Sequence, residues 1–150
     1  MSFVITNFAL SGSAAFPPPA DSTDAKDQGS SQRKQKVLVV DDEALIADSM
    51  AEILNRNGFE AIATYSGSNA IDLAREMCPD IVMSDVLMPR INGVQAAIAI
   101  LENCPTTRVL LFSGQAATAD ILQKARAAGH EFELLPKPIH PQQLINRLRS

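Results

Sequence analysis

No stretch of this sequence is apolar over the ~18 residues that a membrane span needs, so no membrane anchor is expected. The segment Met1 to Phe16 is mildly apolar but has no basic residue, which makes it a poor secretory signal. Basic residues are in deficit overall. Thirteen Lys and Arg stand against seventeen Asp and Glu, a formal net charge of −4. Neither nucleic acid nor an anionic membrane is therefore an expected standing partner. Cysteine is scarce. Cys78 and Cys104 each precede a proline, form no CxxC pair and have no metal-ligand spacing. They are read as small free thiols, buried or half-buried in a reducing compartment, and the chain as cytoplasmic. Tryptophan is absent and aromatics amount to 5%. What is present is 46% hydrophobic and 20% charged residues in a chain of 150, enough for one globular domain of ordinary size. The acidic balance also suits a domain that gathers carboxylates around a divalent cation.

Texture divides the chain in two. Pro17-Pro18-Pro19 is followed by a mixture of Ser, Asp, Lys, Gln and Gly up to Gln35. Such a stretch buries too little apolar surface to offset its ordering entropy. Residues 1–34 are expected to be a disordered tail and residues 35–150 the folded domain.

From Lys36 onward strands and helices alternate. Val37-Leu38-Val39-Val40 is a continuous apolar run, as in a strand buried on both faces of a parallel sheet. Glu43 to Asn57 reads as a helix with Ile46, Met50, Ile53 and Leu54 on one face, stopped by Gly58. Glu60 to Thr64 is a second strand. Ser66 can cap a helix that carries Ala70, Leu73, Ala74 and Met77 and ends at Pro79. Asp80 to Ser84 is the third strand, and a loop with Pro89 and Gly93 leads to a helix presenting Val94, Ala97, Ile98 and Leu101. Arg108 to Phe112 is the fourth strand, and a helix from about Thr118 is closed by Gly129. Phe132 to Leu135 is the fifth strand, and Gln142 to Arg149 the last helix. The pattern predicts an α/β fold: a doubly wound, five-stranded parallel sheet with helices on both faces, flavodoxin-like, in strand order 2-1-3-4-5. No internal repeat is visible.

In such a sheet, ligands bind beyond the carboxyl ends of the strands. The polar residues there form a coherent set. Asp41 and Asp42 end the first strand, Asp85 follows the third, Ser113 the fourth and Lys137 the fifth. A single Asp at a strand end is usually a turn or cap residue. Five such groups on four strand ends are much harder to explain as turns. Three carboxylates at one spot repel, by about 4 kcal/mol for a pair ~4 Å apart at an effective dielectric of ~20. Lys137 offsets part of this, and a hard divalent ion such as Mg²⁺ the rest. A carboxylate beside such an ion can act as a nucleophile toward phosphorus, with metal and lysine stabilising the equatorial oxygens and Ser113 donating to one of them.

The motifs are specific. Val37-Leu38-Val39-Val40-Asp41-Asp42-Glu43, Asp85-Val86-Leu87-Met88-Pro89 with Asn92-Gly93, Phe112-Ser113-Gly114 and Leu135-Pro136-Lys137-Pro138 resemble the receiver domain of response regulators, from Lys36 to about Arg149. The resemblance implies a stand-alone, phosphorylation-controlled signalling switch of a two-component system. Asp85 is then the phosphoacceptor. Asp41, Asp42, Asp85 and the backbone carbonyl of Leu87 hold Mg²⁺. Lys137 and Ser113 bind the phosphoryl group, with Ser113 also the switch hydroxyl. Gly93 allows a sharp turn into the third helix, and Lys137-Pro138 is a cis bond. The donor is a sensor histidine kinase or phosphotransfer protein, and a further, unidentified protein is the downstream target. His130 and His140 are surface residues rather than phosphoryl carriers. Beyond its own phosphotransfer and a slow dephosphorylation the chain is not an enzyme; neither Leu87 nor Gln115, which flank the path of water, is an acid or base.

One position departs from the family. An aromatic residue usually stands three residues before the lysine and swings inward on activation; here that place is Leu134. The usual readout is in doubt, and Leu134 is read as core or as a reduced switch element. Two other functions compete. A metal-dependent phosphatase working through an aspartyl-phosphate needs Asp-x-Asp after its first strand, which Asp41-Asp42-Glu43 does not supply. A phosphorylation-independent binding module on the same fold tends to lose the acidic pair, the acceptor or the lysine, and all are kept here.

Overall fold

The periods in the sequence become five parallel strands and five helices in a computed structural model, which describes residues 33–114 and 118–150. In chain order these are β1 (Lys36–Val40), α1 (Ala44–Arg56), β2 (Glu60–Thr64), α2 (Gly67–Met77), β3 (Ile81–Asp85), α3 (Gly93–Asn103), β4 (Arg108–Ser113), α4 (Thr118–Ala127), β5 (Glu133–Pro136) and α5 (Pro141–Arg149). The sheet runs β2-β1-β3-β4-β5, all parallel, with Val40 beside both Thr64 and Ser84 and Asp85 beside Phe112. This is the expected doubly wound order. The crossover from β1 outward to β2 and back to β3 opens a crevice at the carboxyl ends of β1 and β3.

The strand pleat sorts the core. Val37, Val39, Ile81, Met83, Leu110 and Phe112 face α1 and α5, against Ala47, Ala51, Leu54, Leu144, Ile145 and Leu148. Leu38, Val40 and Val82 face α2 and α3, against Ala70, Ala74 and Ile100. Val109 and Leu111 face α3 and α4, against Val94, Ala97 and Ala125. Alanines occupy the centre of the α1 face. The Ile46, Met50 and Ile53 of the sequence reading are half-buried on its flanks, because a small side chain lets the helix axis lie close to the sheet.

Ser66 caps α2 as expected, its side chain accepting from the Asn69 N–H at 3.1 Å. Asn92 caps α3 in a reciprocal box: its side chain accepts from Gln95 N at 2.8 Å, and Gln95 Oε1 accepts from Asn92 N at 2.9 Å. β3 and β5 each lie one residue further along than read. The Lys137-Pro138 bond is cis. No helix among the described residues is long and apolar enough to cross a membrane. The tail expected over residues 1–34 lies outside the described residues except for Arg33 and Lys34.

The cysteine reading is corrected. Cys78 and Cys104 are not free thiols; they form a disulfide, with Cα atoms 5.6 Å apart. Helices α2 and α3 pack against each other, and the two cysteines are their C-cap residues, Cys78 with a left-handed backbone (φ 40°). Their meeting is a product of this helix pairing across a sequence separation of 26. It satisfies the Cα spacing that a disulfide requires. Cys104 is buried and Cys78 exposed.

Candidate acidic site at the carboxyl ends of the strands

The chain leaves β1 at Val40, and Asp41 is held directly below the surface. Its N–H bonds the Thr64 carbonyl at 3.1 Å, and Oδ1 accepts from the Glu43 N–H at 2.9 Å. Glu43 is the N-cap residue of α1, so one carboxylate oxygen is spent on starting the helix. The other, Oδ2, is buried and has no hydrogen-bond partner among the described residues. Asp42, next along, is exposed.

Asp85 is the last residue of β3. Oδ2 accepts from Lys137 Nζ at 3.0 Å and Oδ1 from the Leu87 N–H at 3.3 Å. Its side chain is 13% exposed and that of Lys137 34%, so the pair lies at the surface of the crevice. Carboxylate oxygens of Asp41, Asp42 and Asp85 all lie within 4.8 Å of one another. Burial raises the Asp41 pKa above the usual carboxylate value. Nearby Asp85 and Asp42 add to the rise, while the Glu43 N–H bond and Lys137 oppose it. A buried carboxylate oxygen without a donor, beside two further carboxylates, is a donor set for a hard cation. Mg²⁺ fits it.

Glycines set how closely the surrounding loops approach. A Cβ on Gly93 would collide with the Asp85 carbonyl oxygen, and the Gly93 N–H donates to Val86 O at 2.8 Å. The described glycines with positive φ are Gly58 and Gly129, not Gly93. Gly93 begins α3, where the sequence reading expected a sharp turn, and the close approach of the Asp85 carbonyl leaves no room for a side chain there. A Cβ on Gly114 would sit 2.8 Å from Lys137 Cβ, so this glycine gives the lysine stem its path.

Ser113 closes β4 at the same end of the sheet, and its carbonyl accepts from the Lys137 N–H at 3.2 Å. Its hydroxyl is not bonded to Asp85 but to the hydroxyl of Thr118, the first residue of α4. Leu87 is half-buried two residues beyond Asp85, and Pro138 is exposed. Leu134 is half-buried in β5 and packs with Val86, Val94, Ala125 and their neighbours. Asp41, Asp42, Asp85 and Lys137 are thus brought together, with Ser113 beside them and turned to another partner. Gln115 lies outside the described residues. Thr118 was legible only as a helix start, and nothing in its sequence context signals a bond to Ser113. A surface hollow of about 410 Å³ lies by Arg108, His130 and Glu133, at the opposite end of the sheet. It shares no residue with the acidic cluster.

Comparison with known proteins agrees with this fold. A family model described as the response regulator receiver domain matches residues 37–149. Chemotaxis protein CheY of Thermotoga maritima is 28% identical over 117 residues, covering 77% of this chain and 96% of that protein. The DNA-binding response regulator MtrA of Mycolicibacterium paratuberculosis is 26% identical over 117 residues; the chain covers 51% of it, about half its length. Among solved structures, chemotaxis protein CheY4 of Vibrio cholerae superposes with a TM-score of 0.69 at 27% identity, over 78% of this chain and 98% of that one.

Proposed function

This chain belongs to the response regulator receiver domain family of two-component systems, and from that premise we propose that Asp85 is the phosphoacceptor of its switch. The observation that carries the reading is the set of three carboxylates within 4.8 Å, of which Asp85 alone holds the lysine. In the proposed transfer an oxygen of Asp85 attacks the phosphorus of a phosphohistidine on a sensor kinase or phosphotransfer protein. The O–P bond forms as the P–N bond breaks, and the partner's imidazole leaves with the bonding pair. Lys137, already on Asp85 Oδ2, then pairs with a phosphoryl oxygen. Ser113 is the hydroxyl that follows the phosphoryl group. Asp41, Asp42, Asp85 and the Leu87 carbonyl would hold Mg²⁺. When bound, the ion offsets the carboxylate repulsion and the charge of the transferring group. The unit proposed to carry the switch spans residues 35–150, with 1–34 outside it. Its output is an altered surface for a further protein.

Acetyl phosphate with Mg²⁺ should label the protein, and both Asp85→Asn and chelation should abolish labelling. Undiminished labelling of Asp85→Asn places the acceptor elsewhere and ends the proposal.

A further inference from the structure

Ser113 has a place in the chemistry just described, but the partner its hydroxyl holds at the start of α4, Thr118, has none. Ser113 is the last residue of β4 and Thr118 the first of α4, and their side-chain oxygens are hydrogen-bonded. Thr118 is 3% exposed and the bond is part-buried, so water competes weakly for it. Asp85, meanwhile, takes its bonds from Lys137 and Leu87. The hydroxyl expected to follow the phosphoryl group is engaged away from it, on the next helix.

We propose that Thr118 is the latch of the resting state: it holds the Ser113 hydroxyl off the acceptor site and seats the first turn of α4. The inference rests on phosphorylation of Asp85 and adds to it the element that reads the event. A phosphoryl oxygen offers Ser113 a charge-assisted bond, roughly twice as strong as a neutral hydroxyl pair. Serine rotamers are about 120° apart, so a single rotamer change takes Oγ off Thr118. The bond that is lost then belongs to α4. Ile121 and Leu122 of that helix pack in one cluster with Leu134, the residue at the place of the usual aromatic. Leu134 has neither ring nor hydroxyl, and the Ser113–Thr118 bond supplies a polar contact between the site and α4. Thr118 is a positioning residue, acting on the site through the Ser113 hydroxyl.

The test uses the full chain and titrates beryllofluoride with Mg²⁺, read by backbone amide shifts of residues 118–127, with acetyl phosphate labelling in parallel. Thr118→Val removes the hydroxyl and keeps the branched shape. It should label at saturation as the parent does, yet reach half-response at about fivefold lower beryllofluoride, the weight of one net hydrogen bond of about 1 kcal/mol. Its free-state α4 amides should already lie part-way toward the bound positions. Thr118→Ser should restore the parent behaviour, which a purely structural role would not do. Parent midpoint and parent α4 shifts in labelled Thr118→Val overturn the latch. Should that variant not fold, the parent decides: beryllofluoride that perturbs amides near Asp85 but none in residues 118–120 overturns it too. A parent chain that fails to label removes the proposed function instead, a separate outcome.

Discussion

At the amino ends of the strands Arg108 donates to both oxygens of Glu133, at 2.7 and 2.8 Å, and to the carbonyls of Arg147 and Leu148 at the end of α5. Thr107 donates to Pro79 O, Asp80 Oδ2 accepts from the Lys36 N–H, and the Cys78–Cys104 disulfide ties α2 to α3. At the carboxyl ends of the same strands three carboxylates crowd together and a buried oxygen of Asp41 has no partner among the described residues. One end of the sheet is saturated with matched donors and acceptors. The other keeps like charges in close contact and leaves acceptor capacity open. The amino end holds β4, β5 and α5 together. Under the proposed function, the stability given up at the carboxyl end is what a cation and a phosphoryl group would restore.

The largest expected effect tests the stabilising end. Reducing the disulfide, or replacing both cysteines with serine, should cost roughly 3 kcal/mol in denaturant unfolding. Saturating acetyl phosphate labelling should stay unchanged, because the bond lies at the far end of the sheet. Loss of labelling in the reduced, still folded protein would break the division between the ends.

An intermediate effect of opposite sign belongs to the carboxyl end. Asp41→Asn removes one of the crowded charges and can keep the bond from the Glu43 N–H. In chelator it should raise stability by about 1–2 kcal/mol, a fraction of the pairwise repulsion. Added Mg²⁺ should raise the urea midpoint of the parent much more than that of the variant. A destabilised Asp41→Asn in chelator would mean that this carboxylate is structural.

A weaker effect belongs to the Arg108–Glu133 ion pair at the amino end. The pair is 29% and 39% exposed, so solvent screens it, and Glu133→Gln should cost no more than about 1 kcal/mol. The bond from Arg108 lowers the Glu133 pKa below the usual carboxylate range, with the nearby charges of Arg108 and Arg147 assisting against burial. A carboxylate lowered in this way contributes its stability in full above the unfolded value. That contribution is lost as pH falls through the lower native value. The gap between parent and Glu133→Gln should therefore be constant at neutral pH and close in acid. A gap that widens in acid would contradict the pairing.

Much of this was legible beforehand. Val37 to Val40 reads as a buried strand because both of its faces are covered, and the strand-end positions of Asp41, Asp42, Asp85, Ser113 and Lys137 follow from the alternation of strands and helices. The α3 capping box was missed in the sequence, although Asn92 and Gln95 stand at the spacing that box requires. Gly93 could be expected at a sharp turn, but that its missing Cβ makes room for the Asp85 carbonyl is a contact between two segments that spacing does not show. Sequence period alone fixed which residues alternate, which runs are apolar and which polar groups fall at strand ends, because these depend on backbone geometry within one element. Only the tertiary structure decided that Cys78 meets Cys104, that Asp41 keeps an unpartnered oxygen, and that Ser113 bonds Thr118. Each depends on where two separate elements end in space, a distance that helix packing and loop path set and local spacing does not.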